Sequence, residues 1–303
     1  VKNSTATGTT ATADRPAAYR GRFAPSPTGL LHQGSLVAAL ASWLDARRHH
    51  GQWLLRIEDL DAPRNVPGAE EAILRTLDSL GLTADGAILR QSQRQALYRD
   101  ALDTLQRAQL AYRCTCSRSE EPGVYSGRCR RHQPPPGPAA WRFAMNPADH
   151  VKFTDGIQGD CGFEVRLLGD PVIFRRDETA AYQLAVVVDD AAQGITHVVR
   201  GADLIDSTPW QLHIAAALGA PEITYAHVPL VTEPDGAKLA KSRRAPAVAN
   251  LLPGQALTLA LQLLGYEPPG ELEQEAPFHI LDWALAGWPP RGLQGRKTIA
   301  LPT

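Results

Sequence analysis

The chain has 303 residues, 44% of them hydrophobic and 21% charged, with 31 basic against 32 acidic side chains. That length and balance describe a soluble globular chain of one large domain or two intimate ones. A formal charge of −1 argues against a strongly basic nucleic-acid field, although a local basic patch survives such averaging, and no apolar run is long enough to span a bilayer.

Residues 1–19 are rich in Ala and Thr and lack the apolar stretch of a secretory signal, so a disordered tail and a cytoplasmic location are expected. From Tyr19 the pattern reads strand, glycine turn, helix. The helix spans about Gly34 to Arg48, with Leu36, Leu40, Trp43, Leu44 and Arg47 at three- and four-residue spacing and Gly51 as its stop. Trp53 to Ile57 reads as a strand, and Ala69 to Leu80 and Gln91 to Gln109 as helices. This alternation predicts an α/β fold with a Rossmann-like parallel sheet, its first half over residues 20–110.

Residues 111–180 change character. They carry cysteines, a proline-rich break at Pro134 to Pro138, and strand-like runs at Phe163 to Leu167 and Val172 to Phe174, as an α+β insertion would. Alternation resumes over 181–245. A helix runs to about Ala192, a strand over Thr196 to Val199, a helix capped by Ser207 with Pro209 inside its start, and a strand over Ile223 to Val231. The remainder, 246–303, reads as one helix over Leu251 to Leu264 and an irregular tail.

Two distant stretches carry the chemistry. Arg22-Phe23-Ala24-Pro25-Ser26-Pro27-Thr28-Gly29 is followed by Leu31-His32-Gln33-Gly34-Ser35, which places His32 at a helix start beside a small Gly34. Free N–H groups and the positive dipole end there suit a phosphate. About two hundred residues later, Lys238-Leu239-Ala240-Lys241-Ser242 offers mobile positive charge. Cys114, Cys116 and Cys129 fall within sixteen residues, and such clustering in a cytosolic chain favours a structural zinc over a disulfide. Spacing alone nominates His132 as fourth ligand; Cys161 stands apart.

The first stretch resembles the HIGH-type signature of class I aminoacyl-tRNA synthetases in its glutamyl form, and the second resembles their KMSKS loop. Arg56-Ile57-Glu58-Asp59-Leu60-Asp61, Ala181 to Asp190 and Ile195 to Gly201 extend the likeness from about Tyr19 to Pro246, roughly three quarters of the chain. The resemblance implies that ATP, with Mg²⁺, adenylates L-glutamate. It places Gly29, His32, Gly34 and Lys241 on ATP, with His32, Lys238 and Lys241 as the catalytic set. It places Arg22, Ser26, Glu58, Tyr182 and Arg200 around glutamate, Glu58 for the ammonium and the arginines for carboxylates. Ala240 departs from the family loop, which has a small polar residue there, and this implies slightly altered ATP affinity.

Only about sixty residues follow Pro246, so no anticodon-binding domain is expected. The short form, with a Tyr125–Cys129 pair after Cys114–Cys116, resembles the glutamyl-queuosine tRNA(Asp) synthetases. It implies tRNA-independent activation, transfer to queuosine in the anticodon loop of tRNA(Asp), and Tyr125 as the fourth zinc ligand. Arg128, Arg130 and Arg131 are candidate phosphate contacts. No membrane partner is expected, and a monomer is.

Overall fold

The computed structural model describes residues 18–302 except 118–119, 121–122, 133 and 234–247. Lys238 and Lys241 therefore lie outside the described residues, as do Ala240 and the N-terminal segment 1–17.

The chain opens with β1 (Arg20–Phe23), α1 (Gln33–Arg48), β2 (Gln52–Ile57), α2 (Ala69–Ser79) and β3 (Leu89–Arg90). β1 pairs with β2 and β2 with β3, all parallel, which requires the intervening helices as crossovers. On β2, Trp53, Leu55 and Ile57 alternate into the core. In α1, Leu36, Leu40 and Leu44 are buried together with Val37 and Ala41, so the helix is enclosed on most of its circumference. Gly51 turns the chain back towards β2, and a Cβ there would lie 2.5 Å from the Tyr19 carbonyl oxygen. The helix expected over Gln91 to Gln109 begins instead as a 3₁₀ turn, Gln91–Arg94, before α3 (Gln95–Arg107).

Next come β4 (Ala111–Cys114), α4 (Arg128–Arg131), β5 (Ala140–Phe143), β6 (His150–Asp155), β7 (Gly159–Glu164) and β8 (Val172–Phe174). β4, β5 and β8 form an antiparallel sheet, and β6 and β7 an antiparallel hairpin. The strand expected over Phe163 to Leu167 ends at Glu164. Val165–Leu167 is a 3₁₀ turn that buries Val165.

The parallel region resumes with α5 (Tyr182–Ala192), β9 (His197–Gly201), α6 (Thr208–Ala217) and β10 (Thr224–Val228). β9 and β10 pair in parallel, and Thr196 N donates to the Arg20 carbonyl at 2.9 Å, setting β9 beside β1. The sheets β3-β2-β1 and β9-β10 thus lie edge to edge with β1 beside β9, and the direction of winding reverses between β1 and β9. Ser207 precedes α6 but makes no capping bond; its hydroxyl accepts from Gln183 Nε2 at 3.0 Å.

The single strand expected over Ile223 to Val231 is broken by Pro229, which lacks a ladder N–H. Beyond it, β11 (Leu230–Thr232) joins a different sheet. The C-terminal part holds α7 (Pro253–Leu263), α8 (Pro277–Ala286) and β12 (Thr298–Ala300). It is thus less irregular than its composition implies: β12 pairs in parallel with β11, and α7 and α8 pack on α1 in the main core. A second core joins α3, α5 and α6 to the antiparallel sheet. Among the described residues no helix is long and apolar enough to cross a membrane.

Candidate active site and cysteine cluster

A cavity of about 550 Å³ opens where β1 and β9 end. Strand order reverses there, and in open parallel sheets the strand ends at such a reversal leave a crevice that the crossover helices do not fill. Arg22, Ser26, Gly29, His32, Gly34, Glu58, Tyr182 and Arg200 all line it. The fold thus gathers every described residue that the sequence nominated for ATP or glutamate. Lys238 and Lys241 fall outside the described residues.

One wall is the start of α1. His32 is its N-cap, and its Nδ1 accepts from Ser35 N at 3.1 Å. An Nδ1 that accepts leaves the proton of a neutral imidazole on Nε2, which lies 3.1 Å from Ser35 Oγ. The ring thus directs its donor to the Ser35 hydroxyl at the helix start. A Cβ on Gly34 would sit 3.3 Å from this ring, so glycine lets the imidazole lie flat on the helix end.

Beneath the cavity lies a buried charge network. Asp190 takes Arg22 Nε and Nη2, each at 3.2 Å, and Arg56 Nη1 at 2.7 Å. Its neighbour Asp189 takes Arg94 Nε at 2.6 Å, Tyr98 Oη at 2.7 Å and Gln91 Nε2 at 2.8 Å. Arg56 also reaches Glu58 Oε1 at 3.4 Å. Burial disfavours the Asp190 carboxylate, but Arg22 and Arg56 outweigh it and hold the group below the usual range. For Glu58 the balance is opposite: burial pushes its carboxyl up despite Arg56 and Arg22. Arg22 keeps one group, Nη1, without a protein acceptor among the described residues.

Arg200 differs. It is 4% exposed, and its donors reach His227 Nε2 at 3.0 Å, Gln211 Oε1 at 2.7 Å, Thr208 Oγ1 at 2.9 Å, the Leu204 carbonyl at 3.3 Å and Tyr182 Oη at 3.4 Å. All five acceptors are neutral. Among the described residues no carboxylate pairs with it, so a buried cation faces the cavity with its charge uncompensated. Its five N–H groups all have protein acceptors, the bonds to Tyr182 and the Leu204 carbonyl being the longest, so an anion in the cavity meets the charge of Arg200 and, on displacing those two bonds, its donors.

Arg56, Asp189 and Asp190 lie inside stretches singled out in the sequence, yet only their burial reveals them as the support of the site. Asp155, at the end of the mixed strand β6, and His227, in β10, carried no signal: each has meaning only through the other.

The cysteines meet where β4 ends and α4 begins. The sulfurs of Cys114, Cys116 and Cys129 lie within 4.8 Å of one another, those of Cys116 and Cys129 at 3.5 Å, far beyond a disulfide. Four thiolates around zinc would stand about 3.8 Å apart. Tyr125 Oη lies 3.5 Å from Cys114 Sγ and accepts from Cys129 N at 2.8 Å. His132 is exposed and outside the group, so the geometry favours Tyr125 of the two candidates. Burial disfavours the Cys129 thiolate, but the backbone N–H of Thr115 and the Tyr125 hydroxyl outweigh it and bring the group down to about 7. Arg142, unnoticed in the sequence, donates from Nε to Cys114 Sγ at 3.2 Å and lies over the Tyr125 ring at 3.8 Å, where its charge offsets that of thiolates. Of the arginines proposed for phosphate contact, Arg130 faces Asp170 at 3.8 Å and Arg131 donates to the Ser126 carbonyl at 2.9 Å, while Arg128 is exposed.

Known proteins resemble this chain in sequence and fold. The family model for the catalytic domain of class I tRNA synthetases (E and Q) matches residues 18–122 and 126–273. A protein named glutamyl-Q tRNA(Asp) synthetase from Ectopseudomonas mendocina is 50% identical over 93% of this chain and 97% of its own length. One of the same name from Thiobacillus denitrificans is 49% identical over 95% of this chain and 99% of its own. Among solved structures, a glutamate tRNA ligase from Elizabethkingia meningosepticum in complex with its amino acid superposes with a TM-score of 0.77 at 25% identity, covering 94% of this chain and 67% of the ligase. The match over nearly the whole chain, with the reversal-point cavity and its HIGH-type wall, places the chain in the class I tRNA synthetase catalytic-domain family and, within it, among the glutamyl-Q tRNA(Asp) synthetases.

Proposed function

We propose that the chain is a ligase that activates L-glutamate with ATP and Mg²⁺, without tRNA, and transfers the glutamyl group to queuosine at the wobble position of tRNA(Asp). Arg200 carries this reading: a buried, oriented guanidinium without a counter-ion among the described residues, in a cavity whose opposite wall is a phosphate-type helix start. A substrate carboxylate supplies the missing charge, the spare Nη1 of Arg22 adds a second donor, and Glu58 faces the ammonium. Tyr182 and Ser26 close the amino-acid end. His32 Nε2–H turns from the Ser35 hydroxyl to a phosphate oxygen when nucleotide enters, while Gly29 and Gly34 let the nucleotide approach the backbone. Lys238 and Lys241 complete the set as the transition-state cations. Such a site acts by positioning and by stabilising charge that develops on the α-phosphate oxygens. Glutamine is rejected because an amide leaves Arg200 uncompensated. The cytoplasm, where ATP and tRNA meet, is the compartment this reading assigns.

The acceptor follows from the relatives of matching length and name. Two assays test it in order. Exchange of pyrophosphate into ATP that depends on glutamate and proceeds without RNA is expected. Transfer to queuosine-bearing tRNA(Asp) and not to tRNA(Glu) is expected next. Charging of tRNA(Glu) instead supports an ordinary glutamyl-tRNA synthetase, and absence of exchange supports a non-catalytic RNA-binding paralogue.

The cysteine cluster fits a structural zinc held by Cys114, Cys116, Cys129 and Tyr125. Bound there, the ion would staple β4 to α4 within the inserted segment 111–180, which this reading assigns to RNA contact. Metal analysis of protein purified without chelator is expected to give one zinc per chain. Cys129→Ser is expected to lose it and Cys161→Ser, outside the cluster, to keep it.

A further inference from the structure

His227 on β10 is fully buried, and the adenylation chemistry above does not use it. Its Nδ1 lies 2.5 Å from Asp155 Oδ2, a carboxylate equally buried at the end of β6. The other oxygen of Asp155 accepts the backbone N–H groups of Ile157 at 3.0 Å, Gln158 at 2.9 Å and His227 at 3.0 Å, which fixes the β6–β7 turn. On the far side of the imidazole, Nε2 is 3.0 Å from Arg200 Nε. A guanidinium N–H only donates, so Nε2 must accept and the proton must sit on Nδ1, donated to Asp155.

We propose that Asp155 and His227 are positioning residues for the amino-acid site: Asp155 locks His227 in the tautomer whose Nε2 lone pair aims Arg200 at the substrate carboxylate. This rests on the reading of Arg200 given above. The choice of partner has a physical reason. A carboxylate set directly against Arg200 would orient it but also neutralise it, and would compete with the substrate. A neutral imidazole orients it through a lone pair and leaves the full positive charge to the ligand. Asp155 belongs to the hairpin of the inserted segment, so that segment reaches the amino-acid site through two hydrogen bonds in series.

The surroundings of His227 keep it neutral. The groups that face it are Asp155 from the β6–β7 turn, Arg200 from β9, Arg22 from β1, the Thr208 hydroxyl from α6 at 3.4 Å and the Tyr225 ring from β10 at 6.1 Å. Burial and the two arginines outweigh Asp155, and the imidazole titrates below its usual range. Protonation would remove the acceptor and set a second cation against Arg200. Affinity for glutamate therefore holds at neutral pH and falls as pH drops through the depressed pKa of His227.

Asp155→Asn tests the device. Its Oδ1 can keep the turn, but its amide N–H now faces His227 Nδ1. The ring proton is driven to Nε2, against the Arg200 donor. The expected result is a KM for glutamate raised roughly tenfold or more in pyrophosphate exchange, with kcat and the KM for ATP changed less than about threefold. Nitrogen-15 NMR of the imidazole is expected to show the Nδ1–H tautomer in the unaltered protein and the Nε2–H tautomer in the variant. His227→Gln, whose side-chain carbonyl can stand in for Nε2, is expected to keep more affinity for glutamate than His227→Leu. An unchanged glutamate KM in a folded Asp155→Asn variant overturns the proposal, as does an Nε2–H tautomer in the unaltered protein. If the unaltered protein gives no glutamate-dependent exchange, the amino-acid reading fails, and the tautomer measurement still decides whether Asp155 and His227 orient Arg200.

Discussion

Replacing Arg200 with alanine is expected to lower kcat/KM for glutamate-dependent pyrophosphate exchange by roughly 30- to 4,000-fold, because truncating one partner of a buried charge pair costs about 2–5 kcal/mol and each 1.4 kcal/mol is tenfold. The loss should fall mainly on the KM for glutamate and leave the KM for ATP nearly unchanged, since Arg200 stands at the β9 end of the cavity and the helix start of α1 at the other. Arg200→Lys keeps the charge but not the planar fork, and intermediate loss is expected. Steady-state exchange with each substrate varied in turn measures this. An Arg200→Ala variant with a normal glutamate KM would remove the residue from the site.

Asp190→Asn is expected to act on the fold instead. Asp190 neutralises both Arg22 and Arg56 in a setting that solvent does not reach. Removing its charge leaves two cations with too little compensation, a change that typically costs about 3–5 kcal/mol. For a chain of this size, that is a melting temperature lower by roughly 5–10 °C. Thermal or urea unfolding measures it. The pH dependence has a definite sign. The Asp190 carboxyl is held below its ordinary value in the folded chain. Its contribution is present above the unfolded carboxyl pKa and is lost as pH falls through the folded one. The variant should therefore lose stability least at low pH, and its difference from the unaltered protein should widen up to about pH 5 and then level off.

The residues best read from sequence were those whose chemistry is local. The strand–turn–helix from Arg20 to Arg48 carries its turn residues, its cap and its apolar spacing in one stretch, and the fold places it accordingly. The same holds for Cys114, Cys116 and Cys129, whose spacing brings three sulfurs together. Arg22 was legible as a site residue but not as a partly occupied one: two of its N–H groups belong to Asp190, 168 positions away. His227 and Asp155 are 72 positions apart, and neither flanking sequence contains a motif. Pro229 lies inside the strand expected over Ile223 to Val231 and divides it, because it has no N–H for the ladder. β12 was missed because a three-residue edge strand has no periodicity to detect; it exists through pairing with β11.

That pairing has a bearing on how the molecule comes into being. Leu230 and Val231 form part of the cavity wall, and they are held in register by Thr298 and Ile299. During synthesis the β11 edge emerges long before its partner, with its hydrogen-bonding groups open. This part of the cavity wall is thus completed only after Thr298 and Ile299 have been made, and a nascent chain halted short of Thr298 would hold a half-built pocket.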